Sequence, residues 1–148
     1  MYKRILIAVD GSDTSDRALQ EAINLAKDQQ ALLSIVYAVD EVSLSADTEF
    51  VDPAMISNAW VEAGREILNK ASALAVAASV QAQTRLIELD HFGMRIADAI
   101  VEEARAWSAD IIVVGTHGRT GLSHLLLGSV AEDIVRASRL PVLLVHST

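Results

Sequence analysis

The chain has 148 residues, 51% hydrophobic and only 4% aromatic, which predicts one domain spanning 1–148 with a core of Val, Ile, Leu and Ala, and excludes disorder. Twenty acidic against twelve basic side chains give a formal charge of −8, which opposes adsorption to DNA, RNA or anionic lipid, so no nucleic-acid partner is expected. The absence of cysteine excludes a disulfide framework, a thiolate nucleophile and a cysteine-ligated zinc or iron–sulfur centre.

Met1-Tyr2-Lys3-Arg4 runs straight into the apolar stretch Ile5 to Val9. That stretch is too short for a signal h-region or a membrane span, so a soluble cytoplasmic protein without membrane insertion is expected. The same stretch, closed by Asp10-Gly11-Ser12, reads as a buried parallel strand entering a turn. Ser12, Asp13, Thr14 and Ser15 offer N-caps to a helix whose apolar face is Ala18, Ala22, Leu25 and Ala26. Leu32 to Val39 is the second strand, and the polar, acidic segment from Asp40 to Pro53 is a surface loop whose Asp47, Glu49 and Asp52 read as solvated. Pro53 suits the first turn of a helix reaching the high seventies, with Ala59, Ala63, Ile67, Ala71, Leu74 and Ala78 predicted as its buried stripe.

Val80 to Leu89 alternates like a strand, and Ile96, Ile100, Ala104 and Trp107 give a helix from Met94 to Trp107. Ile111 to Val114 is an apolar strand stopped by Gly115, Ser129 to Ser138 is the last helix, and Leu140 to Val145 is a fifth strand. Trp60 and Trp107 fit the periodicity of their helices and read as packing residues. Strands alternating with helices predict an α/β, doubly wound, Rossmann-like fold with a parallel sheet covered on both faces and right-handed crossovers.

In such sheets ligands bind beyond the carboxyl ends of the strands. The fourth strand empties into Gly115-Thr116-His117-Gly118-Arg119-Thr120-Gly121, and the chain enters the last helix at Gly128-Ser129-Val130. Glycines let backbone approach a ligand, and the first amides of a helix are unpaired donors at its positive end. No carboxylate occurs between Ile111 and Ala131, whereas His117, Arg119 and His124 do, so the segment favours an anion such as phosphate. From the glycines alone, a structural turn capped by Gly128 fits equally well.

Gly115-x-x-Gly118, nine further residues and Gly128-Ser129 form a pattern that resembles the nucleotide-binding signature of the universal stress protein family. The resemblance covers the whole chain, including the opening Ile5-Leu6-Ile7-Ala8-Val9-Asp10-Gly11-Ser12 and the closing Leu140-Pro141-Val142-Leu143-Leu144-Val145. It implies a five-stranded sheet of order 3-2-1-4-5 with ATP across the tips of strands one and four. By the same resemblance Asp10 would contact the ribose, the backbone of Val39 the adenine, and Ala8 and Val114 would line the base pocket. Gly115, Gly118, Gly128, Ser129 and Val130 would bring amides to ribose and phosphates, with Arg119 beside them. It also implies a homodimer through strand 142–145, an apolar edge that needs covering.

Each reading has a plainer counterpart. Asp10 also suits an Asx turn, and Arg119 a solvated loop cation. His117 and His124 lack a third ligand nearby in sequence, so no protein metal site is expected, and Mg²⁺ would be held by ATP phosphates. No G-x-x-x-x-G-K-[ST], no G-x-G-x-x-G after the first strand, no G-x-S-x-G and no His-Glu-x-x-His occurs. No residue is designated as a base beside a γ-phosphate, so no catalytic residue is assigned. The leading expectation is an ATP-binding stress-regulatory protein that acts on a protein partner not named by the sequence. The alternatives are a slow ATPase or an enzyme phosphorylating itself at Thr116, Ser123 or Ser129, and a nucleotide-free dimeric interaction module.

Overall fold

The computed structural model describes residues 1–40, 53–89, 94–117 and 127–146. Within them the chain alternates β1 (Arg4–Ala8), α1 (Asp13–Gln29), β2 (Leu32–Asp40), α2 (Pro53–Ala77), β3 (Ala82–Leu89), α3 (Ile96–Ala106), β4 (Ile111–Gly115), α4 (Ser129–Ala137) and β5 (Val142–Val145). All neighbouring strands pair in parallel, in the order β3-β2-β1-β4-β5 that the family resemblance implies. No helix among the described residues is long and apolar enough to cross a membrane.

Alternation along the central strands sends side chains into two cores, as the two-residue period of a strand requires. Ile5, Ile7, Leu33, Ile35, Ile111 and Val113 face α1 and α2, while Leu6, Val36, Ile112 and Val114 face α3 and α4. Helices that follow β1 and β2 thus lie on one face, and those that follow β3 and β4 on the other. The reversal falls between β1 and β4, where Ala8 stands opposite Val114. The chain leaves these two strands toward opposite faces and opens a crevice at their carboxyl ends.

The amino ends of the same strands are closed by side chains. Asp110 Oδ2 accepts hydrogen bonds from the backbone amides of Lys3 at 2.8 Å and Arg4 at 2.9 Å. The Arg4 guanidinium donates to the Trp107 carbonyl and stands 5.1 Å from the centre of the Trp107 ring.

Helix α2 differs from its predicted register. Among its described side chains the buried positions are Gly64, Leu68, Ala71 and Ala75, flanked by half-buried Trp60 and Ile67, whereas Ala59 is exposed and Leu74 is 51% exposed. Gly64 sets this register: a Cβ there would come within 2.7 Å of the Tyr37 ring on β2. The helix therefore rests its one glycine on the largest side chain of the neighbouring strand.

Three helices end alike, and none uses glycine. Gln30, Ser79 and Ser108 take φ of 53°, 59° and 59°. Each precedes a buried apolar residue whose amide returns to the last turn: Ala31 to Ala26, Val80 to Ala75 and Ala109 to Ala104. This is the hydrogen-bonding pattern of a Schellman cap, whose left-handed position favours glycine. Gln30→Gly, Ser79→Gly and Ser108→Gly should each raise stability by about 0.5–1 kcal/mol, since relief of left-handed strain outweighs glycine's greater chain entropy. Urea titration of the triple variant checks this, and an unchanged or lower midpoint would show the strain to be negligible.

Candidate functional site

The crevice is built first by the turn from β1 into α1. Val9 still donates to the Val36 carbonyl at 2.9 Å, and Gly11 then takes a φ of 84°, a conformation open to glycine. Ser12 caps α1, its hydroxyl accepting from the Ser15 amide at 3.1 Å. Asp10 is tied in on both sides: its amide donates to Ser15 Oγ at 3.0 Å, and its Oδ1 accepts from the Ser12 amide at 2.9 Å. The Asx turn weighed from sequence is therefore formed, and it holds the Asp10 carboxylate at the mouth of the crevice.

The exit of β4 lies next to this turn. At Gly115 an added Cβ would meet Thr14 Cγ2 at 2.8 Å and the Thr14 carbonyl carbon and oxygen at 3.2 Å, so the missing side chain is filled by the first turn of α1. Thr116, 1% exposed, donates its amide to the Val145 carbonyl at 3.0 Å and accepts at its own carbonyl from the Gly128 amide at 2.6 Å. One buried residue thus ties the start of α4 to the end of β5. Burial of Thr116 also removes it from the exposed hydroxyls open to self-phosphorylation.

Gly128 is the N-cap of α4, with φ −61°, ψ 152° and no side-chain cap bond. The first intrahelical bond runs from the Glu132 amide to the Gly128 carbonyl, so the amides of Ser129, Val130 and Ala131 precede the helical ladder. They form the positive end of the helix. The carboxylates that follow are neutralised: Glu132 pairs with Arg136 at 2.7 Å, and Asp133 with Arg95 at 3.4 Å. Ser129 is exposed and Val130 half-buried against the α3/α4 core.

Across the crevice, β2 reaches beyond β1, since Ala8 pairs with Val36 while the strand continues to Asp40. In a parallel ladder successive residues turn their backbone groups to alternate neighbours. The Leu33 amide bonds to Gln81 beside β3, and the Val36 carbonyl bonds to Val9 beyond β1. By that alternation Val39 turns its backbone toward β3, and its side chain is buried in the α1/α2 core. Ala38, which sequence reasoning passed over, turns its backbone toward the crevice. Its methyl lies on the same face as Ala8 and Val114.

Ala8, Val114, Gly115, Gly128, Ser129 and Val130 are thus gathered around one crevice together with Asp10, while Val39 turns away from it. Gly118 and Arg119 lie outside the described residues, as do His124 and the acidic loop. Negative charge collects on the α1 side, where Asp10, Asp13 and Asp16 occupy neighbouring positions. The Asp16 carboxyl is raised above its ordinary value by partial desolvation, and further by repulsion from Asp13 and Asp10, against the pull of Lys70. Among the described residues no three His, Asp or Glu side chains cluster to hold a metal ion.

Residues 1–146 match the model of the Universal stress protein family. The chain is 40% identical to Universal stress protein MJ0531 of Methanocaldococcus jannaschii over 148 residues, which cover 98% of this chain and 82% of that protein. A solved member of the universal stress protein family from Burkholderia pseudomallei superposes with a TM-score of 0.79 at 37% identity, over 97% of this chain and 96% of that one. A universal stress protein solved in complex with cAMP superposes with a TM-score of 0.72 at 31% identity, over 99% of this chain and 98% of that one. Sequence, sheet order and crevice agree, and the chain belongs to the universal stress protein family.

Proposed function

We propose that this chain binds an adenine nucleotide, ATP with Mg²⁺, in the crevice between β1 and β4, and acts in the cytoplasm as a nucleotide-responsive regulator of a protein partner. The observation that carries the reading is Gly128. Its φ of −61° is open to any residue, so backbone conformation does not call for glycine there. A helix N-cap ordinarily carries Ser, Thr, Asp or Asn, whose side chain satisfies a free amide. Glycine leaves those amides of α4 to an outside acceptor and admits a phosphate to the backbone.

The rest of the crevice suits the remainder of the ligand. Ala8, Ala38 and Val114 offer a shallow apolar floor for a base, and Ala38 rather than Val39 offers backbone groups to its edge. Asp10, oriented by its turn, suits ribose hydroxyls, and Ser129 suits a phosphate oxygen. Mg²⁺ on the triphosphate would offset the negative charge of Asp10, Asp13 and Asp16, and it commonly keeps water and phosphate oxygens as ligands. The cAMP complex of a relative supports the class of ligand. No described side chain is placed as a general base, which favours binding over turnover.

A second reading has observations of its own: Gly115 and Asp10 both have structural uses in the α1 turn, as an interaction module without nucleotide would require. Calorimetry separates the two. ATP should bind more tightly with Mg²⁺ than with EDTA, and absence of heat up to millimolar ATP would reject the nucleotide. In either reading β5 is a sheet edge with Leu143 exposed, and we propose that two copies pair through Val142–Val145. A monomeric mass by light scattering at micromolar concentration would reject that pairing.

A further inference from the structure

Ser15 carries a buried hydroxyl that the capping of α1 does not explain. It stands at the third position of the helix and is 4% exposed. In a capping box the N-cap side chain accepts from the third amide, and the third side chain reaches back to the amide of the N-cap. The first half of that exchange is present, from the Ser15 amide to Ser12 Oγ at 3.1 Å. The second half is diverted. The Ser12 amide donates to Asp10 Oδ1 at 2.9 Å, and Ser15 Oγ accepts instead from the Asp10 amide at 3.0 Å, ahead of the cap. The helix start is thus capped without the Ser15 hydroxyl, and what that hydroxyl holds is Asp10.

Asp10 is gripped at two points. The bond at its amide fixes the backbone against α1, and the bond at its Oδ1 fixes the rotation of the side chain. Asp10, Ser12 and Ser15 close a ring of hydrogen bonds, so loosening at Ser15 passes to the carboxylate. A carboxylate at the mouth of the crevice can accept from sugar hydroxyls, and it does so with full effect when its direction is set beforehand, because the ligand then bears no cost of ordering it. We propose that Ser15 is a positioning residue that orients Asp10 toward the ribose hydroxyls, and so sets how strongly the crevice prefers a ribonucleotide to a nucleotide stripped of both hydroxyls. The assignment rests on the nucleotide reading and gives a buried serine a part in specificity without contact with the ligand.

The test compares ATP with its 2′,3′-dideoxy analogue, both with Mg²⁺, by calorimetry on the intact protein. The wild type should prefer ATP by about tenfold or more. Ser15→Ala should reduce that preference about fivefold by weakening ATP, while the analogue stays within about twofold. Ser15→Cys, which keeps the volume but is a weak acceptor, should behave alike, and it carries the test if the alanine variant does not fold. In an Asp10→Ala background Ser15→Ala should leave ATP affinity within about twofold, since Ser15 acts through Asp10. Equal weakening of both ligands, or an undiminished loss in the Asp10→Ala background, would reduce Ser15 to a structural residue. An unaltered preference in the folded variants would overturn the proposal, as would a wild type that binds both ligands equally, with nucleotide binding intact in either case. Failure of the wild type to bind ATP would reject the nucleotide reading and the proposal with it.

Discussion

Gly115→Ala will lower the unfolding free energy by roughly 1–3 kcal/mol, the range for forcing a methyl group into a filled site. The new Cβ would lie 2.8 Å from Thr14 Cγ2 and 3.2 Å from two backbone atoms of Thr14. The methyl could rotate away only by abandoning its rotamer, and the backbone contacts belong to the first turn of α1, which Ser12 and Ser15 hold in place. Alanine's smaller chain entropy returns about 0.4–1 kcal/mol, too little to reverse the sign. Adding Thr14→Ala should recover part of the loss, because it removes the 2.8 Å contact and leaves the two at 3.2 Å. Urea unfolding of both single variants and the double measures that coupling. A neutral Gly115→Ala would mean that α1 yields freely at its first turn.

Gly128→Val should do the reverse, leaving the fold within about 1 kcal/mol of wild type while reducing ATP affinity at least tenfold, about 1.4 kcal/mol. A φ of −61° with ψ of 152° is extended backbone in which valine is at ease. The amide bond to the Thr116 carbonyl and the Glu132 bond to the Gly128 carbonyl use atoms that valine also has. The change adds an isopropyl group where the phosphates would approach the uncapped amides of α4. Calorimetry beside urea unfolding is the measurement, and undiminished affinity in the folded variant would move the phosphate site away from α4. Two glycines of one sequence pattern are thus expected to fail in different assays.

That contrast shows how far the sequence could be read. The strands themselves followed from the rhythm of apolar runs such as Ile5 to Val9 and Ile111 to Val114, nearly all of whose residues are buried, whereas their order and the crevice between the first and fourth were implied by the family resemblance. Helix α2 was harder because alanine lies on every side of it: Ala71 is buried and Ala59 exposed, and their identity carries no contrast. Gly64 would have fixed the register, but its reason is the Tyr37 ring on another element. The helix ends at Gln30, Ser79 and Ser108 escaped notice because their left-handed caps lack the glycine that signals one. Val39 differed from Ala38 only in the neighbour each backbone faces, which depends on ladder parity.

The Arg4–Trp107 stack also has a use at the bench. It lies at the amino ends of β1 and β4, across the sheet from the crevice, and the chain has only two tryptophans. In a Trp60→Phe background, emission from Trp107 would report the opening of β1 and α3 without direct quenching by a nucleotide. Folding could then be followed optically in one channel while occupancy is titrated in another, in the same cuvette.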